Sequence, residues 1–411
     1  MDSSNIGDST VNKKILEINP ITNNHQTNSF DIQEALNQVG EGEKYNAAHF
    51  RAGTYLIDNS IEYKKEPFSI IAFNPESEIY GDWGTDSPAT LFQLMKDAPL
   101  EPFGCGVPIF GPSKALVENV QFYNIAFDGN CPIGGGCQKY VKDAKCNGSK
   151  VGPGVETGKG FHNLFGTRDR AIKYFELHHF KATNTAGDIF RSNRSKQSSG
   201  IKIYQGYVGF CGHCAFMFEN STDFLVEDCT VITRANGAFR SQKNCSKGTF
   251  KNIHVVGTPY NYNPGAQITG DNIKVTGCLI HDTMGPGIEI IGEDNKEIEI
   301  SDCQFLNCGT FAIKNNSNYN VAGILANGAN VLIKNNLFYG CYQNAISANI
   351  YRPDGTLYKK SGFIITTDDN RIIDTKPSNY QVAENGKHIA NLLKPTHTIT
   401  SKGNKLFPEN N

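Results

Sequence analysis

The sequence predicts an all-β chain, wound as a single-stranded right-handed parallel β-helix with an N-terminal capping helix and long loops on one face. Three observations carry this. Segments of one pattern recur at a spacing of about 25 residues. Within each, apolar and polar residues alternate, which places one face of a strand in a core. The 411-residue chain holds 41 Gly and only 19% charged residues, a composition of strands and tight turns. Repeats this short cannot bury an apolar face alone, so they stack.

Residues 1–60 read as a lead-in. In "FDIQEALNQVG", Ile32, Ala35, Leu36 and Val39 share one side of a helix that plugs the open end of the stack. "AAHFRAGTYLI" comes next as a first strand. Residues 61–358 form the β-helix proper, with a Gly-, Pro- and Cys-rich loop insertion near 100–160. The coils are clearest in "IKYFELHHFKATNTAGDIFRS" from Ile172, "IKIYQGYVGFCGHCAFMF" from Ile201 and "FLVEDCTVITRANGAFRS" from Phe224. They continue in the segments from Phe250, Ile273, Ile298 and Val331. Residues 359–411 complete the stack as C-terminal coils and a cap, within one continuous domain.

Superposing the segments aligns Cys229, Ile253, Cys278, Cys303 and Asn336 in one interior column, where a cysteine is a small apolar filler and a free thiol. Cys105, Cys131, Cys137 and Cys146 lie in the loop insertion, where disulfides suit a secreted protein. A second column, Phe190, Phe216, Phe239, Ala266, Ile288, Ile313 and Ile346, points inward. Alternation then sends Arg191, Met217, Arg240, Gln267, Glu289, Lys314 and Ser347 outward. Small residues next to this strand leave a groove floor that long polar side chains wall in.

Such a groove suits an extended polysaccharide. Arg191, Arg234 and Arg240 offer guanidinium forks for a uronate carboxylate. Tyr260 and Tyr262 offer faces for sugar rings, and His162, Asn236, Gln267 and Lys314 offer polar contacts. Glycoside hydrolysis needs two carboxylates about 5 to 10 Å apart. Asp188, Glu219, Asp282 and Glu289 are the candidates. Asp188 and Glu289 stand four coils apart, about 19 Å, so the pairs are Asp188 with Glu219, or Asp282 with Glu289. His213, one coil from Asp188, is a candidate general acid or base. β-Elimination, with a cation on the uronate and a base at C5, is the alternative reaction. A non-catalytic glycan-binding β-helix is the alternative outside enzymes.

"CGHC", Cys211 to Cys214, has the spacing of a dithiol redox centre. The residues after Cys214 alternate as a strand, without the helix N-terminus that activates such thiols. The two cysteines therefore read as two columns, Cys211 sharing a turn column with Asp282, Cys308 and Cys341. No metal site and no cofactor is expected, although separate coils can build a Ca2+ site. The net charge of −2 gives no sign of a nucleic-acid partner, and no apolar run of membrane-spanning length is present. A homo-oligomer is compatible with the sequence.

The lead-in "IQEALN…HFRAGTYLI" resembles the start of pectate-lyase-like β-helix proteins. Five motifs in chain order, "GKGFHN", "AGDIFRS", "CGHCAFMF", "TRANGAFRS" and "GPGIEI", resemble the catalytic domain of methanogen disaggregatase-type proteins. Cys214 stands where that resemblance leads one to expect a small acidic or polar residue. The resemblance implies a secreted or cell-surface enzyme that cleaves an extracellular, chondroitin-like polysaccharide and so disperses aggregated cells.

Overall fold

A computed structural model gives the fold. It describes residues 13–20, 29–57, 69–94, 108–129, 163–167, 169–185, 187–192, 195–211, 213–233, 237–242, 244–257, 264–292, 297–310, 322–327, 330–342, 344–349, 364–374, 389–391, 398–402 and 405–408. The chain is a right-handed parallel β-helix. Its strands fall into one sheet of 23 strands, bent so that it supplies two faces, and one of 11 strands, which supplies the third. Every strand pairing between coils is parallel, as in Phe224–Gly248–Ile273–Ile298–Val331.

The helix forms at Ser29–Leu36, with Ile32 and Leu36 buried and Val39 fully covered just beyond it. A strand at Ile15–Ile18 precedes it and pairs with Ala47–Phe50, so the stack starts inside the lead-in. The core is aromatic toward the N-terminus, with Phe122 and Phe165 edge-on at 4.8 Å, and becomes mainly aliphatic from Ile268 onward, where Phe305 and Phe338 still stack at 5.0 Å.

Tight bends hold the coils in register. Asp228, Asn252, Asp302 and Asn335 all take left-handed backbone conformations at the bend inside the larger sheet, and Gly277 (φ 65°) takes the same place. Asn, Asp and Gly tolerate that region, which explains why one of them precedes each residue of the Cys229–Ile253–Cys278–Cys303–Asn336 column. All three cysteines of that column are buried and free, as the repeat predicts. Where the column turns polar, Asn336 accepts the Cys303 N–H at 2.9 Å and donates to the Ile300 carbonyl at 3.1 Å. Asn370 repeats the arrangement one coil on, donating to the Ile333 carbonyl at 2.9 Å. Each amide side chain thus satisfies backbone groups that a bend exposes.

The second column is Phe190, Phe216, Phe239, Ala266, Ile288, Ile324 and Ile346. Ile324 therefore occupies the position expected of Ile313, and Leu325 stands outward between Glu289 and Ser347 in place of Lys314. The strand Ala322–Asn327 matches the small-apolar pattern of the next coil, "AISAN", better than "FAIKN" does, and the chain reaches it through residues 311–321, outside the described set. Asp282 also shifts by one place. It takes the left-handed bend position (φ 57°) beside Asn307, and Thr283, whose carbonyl accepts from Gly309, lies beside Cys308.

Candidate active site

The strand Phe190–Arg191 and its neighbour Phe216–Phe218 build the site. Two residues ahead of the inward Phe190–Phe216 pair lie Asp188 and Cys214, at the mouth of the strand. Asp188 is fully buried, its backbone N–H donating to Asn163 Oδ1 of the preceding coil at 3.0 Å. Its Oδ1 faces His213 Nδ1 at 2.5 Å and accepts the Cys214 backbone N–H at 2.9 Å. Arg191, three residues on, reaches back with Nη1 3.6 Å from Asp188 Oδ2. The other edge of its guanidinium lies 3.4 Å from Glu219, through both Nε and Nη2. One Arg thus lies between two buried carboxylates, with a histidine on the far side of the first.

Glu219 is fixed by its backbone. Its N–H donates to Ser192 Oγ at 2.7 Å, and Ser192 in turn donates to the Glu219 carbonyl at 3.1 Å. Ser221 donates to Ser192 Oγ at 2.7 Å. These serines were not among the expected site residues. The recurrence of Phe-Arg-Ser at 190–192 and 239–241 was the available signal, and Ser241 Oγ likewise accepts a backbone N–H, from Thr269.

Burial, the largest influence on His213, disfavours its charged form. The charge of Asp188, the neighbouring Cys214 and hydrogen bonds to both outweigh it, so the imidazole is held well above its ordinary value. The ring is therefore an imidazolium at neutral pH, able to release a proton. Burial pushes the Cys211 thiol up far enough to leave it inert as a nucleophile.

The remaining candidates are spread along the stack. Arg240 and Gln267 share the outward column of Arg191, and Gln267 donates to Glu289 at 2.9 Å. Met217, the apolar step between the two arginines in that column, is 2% exposed. Asp282 is half exposed and directed to His281 at 2.7 Å and to Asn307, whereas Glu289 is directed to Gln267. Of the two carboxylate pairs that the sequence offers, Asp188 and Glu219 are the pair with a shared partner. His162, Arg234, Asn236, Tyr260, Tyr262 and Lys314 lie outside the described residues, as do Cys105, Cys131, Cys137 and Cys146.

No helix of the described residues is long and apolar enough to cross a membrane. The chain is similar in structure to the A-module of a mannuronan C-5 epimerase from Azotobacter vinelandii. The identity is 12%, the TM-score 0.55, and 93% of this chain and 96% of that one are covered. It is similar also to the endo-xylogalacturonan hydrolase of Aspergillus tubingensis, with 10% identity, TM-score 0.54, and 96% and 93% covered. A polygalacturonase from Erwinia carotovora matches with 11% identity, TM-score 0.52, and 95% and 100% covered. At these identities the likeness is one of fold. No curated protein matches in sequence. Of the five motifs that carry the disaggregatase resemblance, only "GPGIEI" falls inside the matched family segment, so the two likenesses rest largely on different coils. Residues 270–411 match the family described as disaggregatase related, and the chain carries them on a right-handed parallel β-helix, the fold it shares with these neighbours.

Proposed function

We propose that the protein is a secreted or cell-surface enzyme that hydrolyses glycosidic bonds of a uronate-containing, chondroitin-like polysaccharide, and that it thereby disperses aggregated cells. The observation that carries this reading is the Arg191 guanidinium held between the buried carboxylates of Asp188 and Glu219, with the His213 imidazolium against Asp188. Burying three ionisable groups, with Arg191 partly buried over them, costs stability that apolar residues would not, so their presence points to chemistry. The family match and the uronan- and glycan-acting structural neighbours support the same substrate class.

His213 is the acid that protonates the leaving glycosidic oxygen, with Asp188 fixing its orientation from below. Arg191 binds the uronate carboxylate. Its bonds to Glu219, 3.4–3.5 Å long, are at the limit of hydrogen bonding and give way to a substrate carboxylate. That exchange frees Glu219 to activate water or stabilise the oxocarbenium-like transition state. Arg240 lies two strands further along the same outward column, about 9.6 Å at one strand spacing per coil. This spacing is of the order of a disaccharide repeat, so two arginines meet alternate uronates across the Met217 step. The same arginines would also serve β-elimination, in which they neutralise the uronate carboxylate.

Purified protein incubated with a panel of uronate-containing glycans tests the reading. New reducing ends without ultraviolet absorbance of an unsaturated uronate are expected. Both signals together would move the assignment to elimination. Neither signal, with binding retained, would make the protein a glycan-binding β-helix.

A further inference from the structure

The glycan chemistry leaves the Cys214 thiol unused. It is fully buried beside the Asp188–His213 pair, and the backbone N–H of the same residue bonds Asp188. A carboxylate oxygen of Asp188, a ring nitrogen of His213 and the sulfur of Cys214 all lie within 4.8 Å of one another. Among the described residues, Asp188 Oδ2 is buried without a hydrogen bond. Arg191, the nearest charge, stands off at 3.6 Å. A buried carboxylate oxygen in that state lacks a close electropositive partner.

The geometry points to a site for a borderline-soft divalent cation, Zn2+ by its chemistry, held by Asp188 Oδ2, His213 and Cys214. One oxygen, one nitrogen and one sulfur are the donor types that Zn2+ accepts at about 2.0–2.3 Å, and a catalytic-type site of three protein ligands keeps a fourth position open. Tetrahedral donors at those lengths stand about 3.3–3.8 Å apart, so the three side chains need to close by roughly an ångström. Ca2+ and Mg2+ are disfavoured by the nitrogen and the sulfur, since they take oxygen. Histidine and cysteine bind a metal in their deprotonated forms, so any proton that either carries leaves as the ion enters. Arg191 remains neutralised by Glu219.

The bound ion takes the proton-donating ring out of use, so the site acts on the proposed enzyme as an off-switch. That consequence rests on the glycan reading, whereas the binding itself does not. Two other close nitrogen pairs among the described residues, His178 with His179 (Nδ1 atoms 2.8 Å apart) and His254 with His281 (Nε2 atoms 2.8 Å apart), supply no sulfur. The triad is therefore spectroscopically distinct from both.

The test uses the purified full-length chain with Zn2+ and with Co2+ as a coloured substitute. X-ray absorption at the zinc edge is expected to give one sulfur with nitrogen and oxygen neighbours. Co2+ is expected to give a thiolate-to-metal charge-transfer band at one ion per chain. In Cys214→Ala the band is expected to vanish and Zn2+ binding to weaken about 100-fold or more. A shell without sulfur or with two sulfurs, no charge-transfer band, or an undiminished band in Cys214→Ala would each overturn the proposal. The absorption measurement needs no variant, so a Cys214→Ala chain that fails to fold leaves it decisive. Glycan cleavage is a separate measurement, and its absence would sink the enzyme reading without touching the ion's ligand shell.

Discussion

Replacing Asp188 by Asn isolates the charge at the centre of the site. The amide is nearly isosteric, so the change removes one negative charge without opening a cavity. The carboxylate faces His213 Nδ1 at 2.5 Å, the Cys214 N–H at 2.9 Å and Arg191 Nη1 at 3.6 Å. Hydrogen bonds to charged groups contribute about 1.5–3 kcal/mol and neutral ones about 0.5–1.5 kcal/mol. Removing one partner of a buried ion pair outright costs about 3–5 kcal/mol. Asn retains an acceptor oxygen, and Arg191 retains Glu219, so we expect a loss of about 2–4 kcal/mol at pH 7. Without Asp188, the largest influence that holds the His213 proton is gone and burial is opposed by Cys214 alone, so the ring titrates lower than in the native chain. Its proton is then less available and the ring is no longer oriented, and cleavage is expected to fall by about 10²–10⁴-fold, the usual contribution of a positioned acid. Urea unfolding, reducing-end kinetics across pH and an NMR titration of the His213 ring measure the three effects. A variant with wild-type turnover and an unchanged His213 titration would refute the assignment of both residues.

Stability should depend on pH through the same pair. His213 is raised in the folded state above its ordinary value of 6.5, so its contribution is complete below that value and is lost as pH rises through the folded one. Urea midpoints taken upward from pH 6 are expected to fall, and to fall less in Asp188→Asn. Arg191→Lys keeps a charge but loses the planar fork, so KM for a uronate polymer should rise at least about tenfold while the fold survives thermal melting. Phe216, fully buried between Phe190 and Phe239, should cost about 3–5 kcal/mol when replaced by Ala, read as a lower urea midpoint. Among the eight described cysteines Cys341 alone is half-buried, and although Cys308 and burial hold its thiol well above the ordinary value, alkylation of the native chain, slow at all eight, should reach it first. Burial pushes the Cys229 thiol up to about 12 and the Cys245 thiol up to about 11, and peptide mapping should find both unmodified.

How far the sequence reaches depends on what each residue reports. Alternation and spacing report columns, because a strand period of two and stacked coils leave each residue few choices. The Cys229–Ile253–Cys278–Cys303–Asn336 column, the outward run from Arg191 to Glu289 and the capping helix were legible for that reason. Asp282 and Lys314 were misplaced where the period is interrupted. At Asp282 a left-handed bend shifts the count by one residue. At Lys314 the expected place in the column is taken by the later strand Ala322–Asn327. Both interruptions are local backbone choices that alternation does not encode. Asn and Asp at the bends were the unread signal. Burial of charge was the other gap, since a column states which way Asp188 and Glu219 point and not that Arg191 closes over them.

The position of the cluster along the stack bears on its precision. The places equivalent to Asp188 are Asn163 in the coil before and Cys214, Gly237, Pro264 and Pro286 in the coils after. Titratable side chains in this column are thus confined to Asp188 and Cys214, and the column continues through Ala322 to Asn344. In a stack that couples each coil only to its neighbours, end coils open most readily and central ones are held from both sides. The Asp188 coil has described coils above and below it, from Ile15 to Pro408. Its backbone is also tied directly, since Ile189 N–H bonds the Ala215 carbonyl at 2.9 Å and Phe216 N–H the Ala238 carbonyl at 3.0 Å. Hydrogen exchange should therefore be slowest at Ile189, Cys214 and Phe216 and faster toward the pairing of Ile15–Ile18 with Ala47–Phe50. Asp188→Asn should accelerate Cys214 more than Phe216, because only the Cys214 N–H ends on the carboxylate. Equal acceleration at both would mean that the variant loosens the whole coil, and that the carboxylate holds the stack rather than the histidine.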